Sequence, residues 1–249
     1  MTKRFKNKRF KNEHYNNLPE IEKVFKAEAK DDDTHKLTIY GDIGESWWGD
    51  YITASDVEKA LKEVTSNNIE VHINSYGGDV FDGISIYNQL KNHKAKVTIY
   101  VDGVAASAAS LIAMAADELV MNTGSSLMIH EGSTFAWGTK TDIKKTINAL
   151  ESIDKSIADI YMTRYAGERS EIDTMIVNET WFTSSEAVDV GLADRVNETG
   201  EDGGATDPEE FKNSILAKFR ARKENTQDQT PTEPPTNNLL NKFKKRQAN

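Results

Sequence analysis

The residues best able to do chemistry in this chain are a hydroxyl, an imidazole and a pair of glycines. Ser107 lies in a run of small residues, Gly103-Val104-Ala105-Ala106-Ser107-Ala108-Ala109-Ser110, and His130 follows 23 positions later in Leu127-Met128-Ile129-His130. Upstream stands the turn Asn74-Ser75-Tyr76-Gly77-Gly78-Asp79. A hydroxyl nucleophile, an imidazole that titrates near neutrality and a glycine turn exposing backbone N–H groups are the three parts of an acyl-transfer site. Each also has a plainer reading. Ser107 is then one small residue of a close-packed helix, His130 a hydrogen-bonded strand-end residue, and Gly77-Gly78 an ordinary strand-to-helix turn. Ser110, one turn past Ser107, reads as packing, and His72 as a residue on one face of a strand. Order and placement after strands favour hydrolysis of a peptide bond.

The elements that must position these groups alternate. Period-2 apolar runs predict strands at Lys36–Tyr40, Ile69–Ile73, Val97–Val101, Glu118–Met121, Ser126–His130 and Leu192–Val196. Apolar residues three to four apart predict helices at Thr53–Val64, Val80–Asn92, about Ala106–Ala116, Thr141–Tyr165, Glu171–Glu179 and Ser185–Val190. Strand-then-helix repeats argue for an α/β domain with helices packed on a largely parallel sheet. Ser107 would follow a tight Asp102-Gly103 turn and sit at a helix N-terminus, where unpaired N–H groups favour developing negative charge. The one long stretch of this body without a structural signal is Glu131–Lys140.

Composition sets the boundaries. Residues 1–30 carry nine Lys/Arg and four Asp/Glu, whereas residues 31–200 carry 13 basic and 28 acidic residues, so an acidic body has a basic head. Such a body repels nucleic-acid phosphates. Residues 1–33 read as a flexible basic arm with a short helix at Pro19–Ala29, residues 34–198 as the domain, and residues 199–249 as a polar, low-complexity tail. Lys-Arg-Phe recurs at 3–5 and 8–10, and Leu-x-Lys-Phe-x-x-Arg at 216–222 and 240–246. There is no cysteine, which removes disulfides, thiolate nucleophiles and zinc–thiolate sites together. No two of the five histidines stand at metalloprotease spacing, and no phosphate-loop or dinucleotide glycine pattern occurs. The expectation is therefore no metal and no cofactor. The longest apolar stretch, Val104 to Ala116, is too short to span a bilayer.

Taken together, the segments resemble the ClpP-type serine proteases, most of all the ClpP-like head maturation (prohead) proteases of tailed phages. The resemblance runs colinearly over about residues 36–197. It is carried by Tyr40-Gly41-Asp42-Ile43, Ile73-Asn74-Ser75-Tyr76-Gly77-Gly78-Asp79-Val80, Gly83-Ile84-Ser85-Ile86-Tyr87, Gly103 to Ala109, Met128-Ile129-His130, Trp181-Phe182-Thr183-Ser184-Ser185-Glu186-Ala187 and Gly191-Leu192-Ala193-Asp194.

That resemblance implies a ClpP/crotonase-like ββα spiral with a long handle helix at Thr141–Tyr165. It implies Ser107 as nucleophile, His130 as base and the N–H groups of Gly78 and Ala108 as oxyanion hole. Gly77, Asp79, Glu131 and Gly132 would flank an extended substrate. It further implies a homo-oligomeric ring of six or seven subunits, in one or two layers, acting without ATP on phage scaffold and capsid proteins in the host bacterial cytoplasm. The family's orienting aspartate, two residues before Phe182, is Thr180 here. Three readings stay open: Thr180 accepts weakly from the imidazole, Glu179 or a backbone carbonyl takes over, or the site is impaired. An extended backbone would point Glu179 away from its neighbour's direction. Two rivals to a peptidase also stand, a catalytically impaired assembly or scaffold protein and a crotonase-type thioester enzyme that would bind CoA.

Overall fold

The computed structural model of the protein describes residues 19–44 and 51–197. The chain divides into two units, Met1–Gly203 and Gly204–Asn249, and every described residue belongs to the first. The tail with its repeats lies outside the described residues, as do the Lys-Arg-Phe copies near the start.

Eight strands and six helices alternate along the described residues: β1 Val24–Ala29, β2 Thr34–Tyr40, α1 Ala54–Lys62, β3 Asn68–Ser75, α2 Val80–Lys91, β4 Lys96–Ala106, α3 Ala108–Ala113, β5 Glu118–Asn122, β6 Ser126–Ile129, α4 Lys140–Tyr161, α5 Arg169–Val177, β7 Thr180–Thr183, α6 Ser184–Asp189 and β8 Arg195–Asn197. The main sheet runs β1-β2-β3-β4-β5-β8, with β6 paired to β4 and β7 paired to β6. Pairing is parallel from β2 through β5 to β8 and antiparallel for β1/β2 and β6/β7. This is the α/β architecture that the alternating pattern predicted, and it is consistent with the ClpP-like fold that the resemblance implied.

Alternation explains the sheet. Along β3, Ile69, Val71, Ile73 and Ser75 are buried and the residues between them half-buried, so this strand offers one apolar face. The helices cover that face through short apolar stripes, such as Val57 and Leu61 on α1 and Ile86, Tyr87 and Leu90 on α2. Local chemistry sets several helix starts. Thr53, Thr139 and Thr183 each accept from the N–H three residues on, while Asp56, Asp142 and Glu186 answer with their carboxylates, the reciprocal capping arrangement.

Two expectations are corrected. The stretch Pro19–Ala29 forms no helix: Val24–Ala29 is an edge strand paired with Ala29 opposite His35 through Val24 opposite Tyr40. The sheet therefore begins within the segment read as an arm, because long-range pairing with β2 overrides a weak local helical pattern. Nor does Asp102-Gly103 turn the chain. β4 continues to Ala106, and the pairing with β3 slips from Ile73–Val101 to Ser75–Ala105. Asn74 fills the irregularity, its Oδ1 accepting from the Val104 N–H at 3.2 Å; a Cβ on Gly103 would stand 2.7 Å from that oxygen. The bulge lets β4 change partner, pairing with β5 over Thr98–Val101 and with β6 over Val104–Ala106.

The alanine-rich helix is shorter than its composition suggests, six residues followed by tight turns to Ala116. Sequence patterning also misses β7, whose four residues are too few for periodicity to register. The segment ending in Asp194 has a structural task. Arg164, after α4, donates to the Leu192 and Ala116 carbonyls at 2.8 Å each and pairs with Asp194, whose carboxylate also accepts from the Leu119 N–H. Arg164→Ala removes the side-chain donor to two carbonyls and the cation beside Asp194, and is expected to cost about 2–3 kcal/mol, read as a lower denaturant midpoint with an unchanged slope.

Candidate active site

The site forms where β4 ends. Pairing of Ala106 with Met128 brings the Ser107 N–H to the Met128 carbonyl at 3.0 Å, so His130, two residues further, lies beside the serine. His130 Nε2 and Ser107 Oγ are 2.7 Å apart. Both residues are half-buried. An imidazole at hydrogen-bond distance from a hydroxyl can accept its proton as the oxygen attacks, then deliver it to a leaving group.

Ser107 has φ 54° and ψ −125°, a strained conformation for a residue with a Cβ, costing about 1–3 kcal/mol. Its surroundings hold it there. The Ser107 carbonyl accepts from the N–H groups of Ser110 and Leu111 at 3.0 and 3.3 Å and from Ser110 Oγ at 2.6 Å. Ser110 Oγ is also 2.7 Å from the hydroxyl of Tyr161, at the end of α4. Both residues are buried, and burial pushes the Tyr161 phenol well above its ordinary range. Ser110, read from the sequence as packing, is thus a polar strut under Ser107, and Tyr161 joins it. Such sharp strand-to-helix turns expose a serine oxygen at the top of a sheet.

The glycine turn meets this strut from the other side. A Cβ at Gly77 would lie 2.5 Å from the Ala106 carbonyl and 2.8 Å from both Ala108 N and Ser107 Cβ. At Gly78 it would lie 2.1 Å from the Ile43 carbonyl. Ile43 bridges the turn by donating to the Gly77 carbonyl at 2.9 Å and accepting from the Asp79 N–H at 3.0 Å. The two bonds of that bridge use the N–H groups of Ile43 and Asp79. Ala108, as the first helical residue of α3, has no intrahelical acceptor for its own N–H.

The remaining residues singled out in the sequence fall into different places. Asp79 caps α2, its Oδ1 accepting from Phe81 and Asp82 at 2.9 and 3.1 Å. Glu131 is exposed at the start of an irregular segment that runs to Gly138. Gly132 donates to Asp154 Oδ1 of α4 at 2.7 Å, a contact that spacing along a helix gave no reason to single out. Thr180 pairs with Ile129 across the ladder, and its hydroxyl donates to the Met175 carbonyl at 2.8 Å. Its proton therefore serves the end of α5.

Burial pushes the His130 imidazole below its ordinary value of 6.5, and the charges of Glu179 and Asp154 oppose that effect. The depression favours the neutral form that acts as a base. His130 is expected to titrate below pH 6.5 when followed by NMR of its ring protons. Gly78→Ala, for which a methyl must displace the Ile43 carbonyl, is expected to destabilise the fold by about 1–3 kcal/mol in denaturant unfolding.

Residues 54–200 match the protein family described as Clp protease. The chain is 33% identical over 128 residues to the ATP-dependent Clp protease proteolytic subunit 1 of Chlamydia abortus, an alignment covering 50% of this chain and 67% of that one. Its counterpart in Chlamydia caviae is 32% identical over the same length and shares. That of Protochlamydia amoebophila is 31% identical over 128 residues, covering 50% of this chain and 62% of its own.

Proposed function

The chain belongs to the Clp protease family, and on that premise we propose that it is a serine endopeptidase with Ser107 as nucleophile and His130 as general base. What carries this reading is the 2.7 Å hydrogen bond between Ser107 Oγ and His130 Nε2, at a strained serine beside a turn that only glycine fits. Ser107 Oγ attacks the scissile carbonyl carbon while its proton passes to His130 Nε2. The N–H groups of Gly78 and Ala108 hold the oxyanion. As the tetrahedral intermediate collapses, the C–N bond breaks and His130 protonates the leaving amine. Water, deprotonated by the same imidazole, then attacks the acyl ester, and His130 returns that proton to Ser107 Oγ as the ester C–O bond breaks.

The substrate would lie extended against the segment from Glu131, adding as a strand, between the Gly77 turn and Gly132, whose N–H is tied to Asp154. Asp79 contributes there by ending the glycine turn, since its carboxylate is engaged as a cap. The finer role we assign is processing of scaffold and capsid-associated chains, its own termini included, inside a phage procapsid in the bacterial cytoplasm. The support for it is the colinear resemblance over residues 36–197 to head maturation proteases. A protease enclosed with its substrates works at high local concentration and needs no ATP-driven unfoldase.

Assembly into rings of six or seven, in one or two layers, fits the handle helix. Ile143 and Ile147 on α4 are 40% and 50% exposed, an apolar stripe that a second subunit would cover. The second reading, an impaired assembly protein, is favoured by one observation, an uncharged Thr180 where the family's aspartate stands.

A fluorophosphonate probe beside sedimentation separates these readings. Wild type is expected to label at Ser107, S107A not at all, and H130A at least about 10³-fold more slowly, all three sedimenting alike. Rings without labelling or cleavage point to an assembly protein, and CoA binding without labelling to thioester chemistry. Ile147→Glu is expected to lower the sedimentation coefficient, because it buries a charge in the subunit contact.

A further inference from the structure

We propose that Asp102 is a positioning residue for Ser107, its carboxylate closing the fork at which β4 leaves β5 for β6. This rests on the peptidase reading above and adds a group that acts through the backbone, not on the substrate.

The fork is defined by the pairing of β4. It pairs with β5 from Thr98 to Val101 and with β6 from Val104 to Ala106. Asp102 and Gly103 are the two residues in between. β5 and β6 both run parallel to β4 and are joined through 123–125. One side of β4 must therefore hold the end of the first and the start of the second. Ser107 follows five residues after Asp102, and its N–H reaches the Met128 carbonyl while β6 stays in register. Opening the fork moves the serine oxygen relative to the imidazole.

Three side chains converge on the Asp102 carboxylate. Asn122, the last residue of β5, donates from Nδ2 to Oδ1 at 2.7 Å. Tyr40, the last residue of β2, donates its hydroxyl to Oδ2. His72 of β3 has Nδ1 2.8 Å from Oδ2. A carboxylate can only accept, so His72 carries a proton on Nδ1. All four residues are half-buried and lie on the sheet face opposite the fully buried Ile39, Ile73, Val101 and Met121.

Asn122 passes the hold on in two directions. Its Oδ1 accepts from Asn197 Nδ2 of β8 at 2.9 Å. Its carbonyl accepts from the Ser125 N–H at 2.9 Å, one residue before β6 begins. On the β3 side, Asn74 Oδ1 accepts from the Val104 N–H. The two residues of the fork are thus held from β5 on one side and from β2 and β3 on the other.

The position calls for a carboxylate. Burial works to raise the Asp102 carboxyl, but hydrogen bonds from His72 and Tyr40 outweigh it and hold it below its ordinary value of 3.8. Burial, with that carboxylate beside it, pushes the Tyr40 phenol up to about 12. Acceptor and donor therefore keep their roles throughout the neutral range. An amide at 102 would turn N–H groups toward three donors, and a donor left unpaired there opposes closure.

The test uses the full chain and reads the rate of Ser107 labelling by a fluorophosphonate as a function of pH, beside denaturant unfolding. D102N is expected to label at least about 10-fold more slowly, since ångström-scale misplacement of a reacting group costs up to about 10²-fold. The midpoint of its acid limb is expected to stay at the wild-type pH. The charges that act on His130 are those of Glu179, at φ 48° where α5 meets β7, and of Asp154 on α4, and both remain. N122D sets two carboxylates against each other and is expected to be slow. The exchanged pair D102N/N122D restores an N–H···O bond across the fork and is expected to recover most of the rate. R164A, destabilised away from the fork, is expected to keep the wild-type rate.

D102N or N122D labelling at the wild-type rate overturns the proposal. So does an R164A as slow as D102N, because the rate then follows global stability, and so does a double variant no faster than D102N. If D102N does not fold, N122A decides: slower labelling supports the fork, and a wild-type rate refutes it. A wild-type chain that never labels overturns the peptidase reading instead. The NMR shifts of the His130 ring protons then decide on Asp102. Moved in D102N and not in R164A, they support the positioning of Ser107; unmoved, or moved equally in both, they refute it.

Discussion

The backbone of Ser107 sits at φ 54° between the end of β4 and the start of α3, and the rest of the site depends on that one constraint being met. Four hydrogen bonds meet it. The serine's N–H goes to Met128, and its carbonyl receives two backbone N–H groups and the Ser110 hydroxyl. The Ser110–Tyr161 contact then ties this strut to α4. A conformation that is unfavourable by itself persists only where its surroundings over-determine it. Here the surroundings come from the next turn of the chain and from two distant segments, β6 and the end of α4.

The bulge at Asn74 and Gly103 is the geometric origin of this arrangement. A straight β4 would continue beside β5 and end without a partner. By slipping register against β3, it exchanges β5 for β6, and β6 brings His130. The antiparallel step from β6 to β7 then brings the α5–β7 junction across from the imidazole. One irregularity in a strand thus sets which residues meet at its end.

A second histidine shows why proximity to a carboxylate is not enough to make a site. His72 lies in mid-strand, its Nδ1 2.8 Å from Asp102 and its ring stacked on Tyr100 at 5.0 Å. Asp102 is further held by Tyr40 and by Asn122, the latter at 2.7 Å. This row across four strands joins them by ordinary polar contacts. His72 meets a carboxylate and an aromatic ring, whereas His130 meets a hydroxyl on a strained turn. The chemistry differs because the backbone differs.

Much of this was legible in the residues themselves. Among the described residues, period-2 and period-3.6 patterns found all six helices and six of the eight strands, because amphipathic faces must be written into local sequence to bury a core. The types and order of Gly77-Gly78, Ser107 and His130 indicated acyl-transfer chemistry, since few residues can supply a nucleophile, a base and unobstructed N–H groups. The rest is non-local. β1 became a strand only by pairing with β2, and β7 only by pairing with β6. Neither the slip that joins Ser107 to His130 nor the partner of the Thr180 hydroxyl is recorded in spacing. The positive φ of Glu179 is likewise invisible in its identity, because a glutamate adopts it only when a helix end and a paired strand force the chain to turn there.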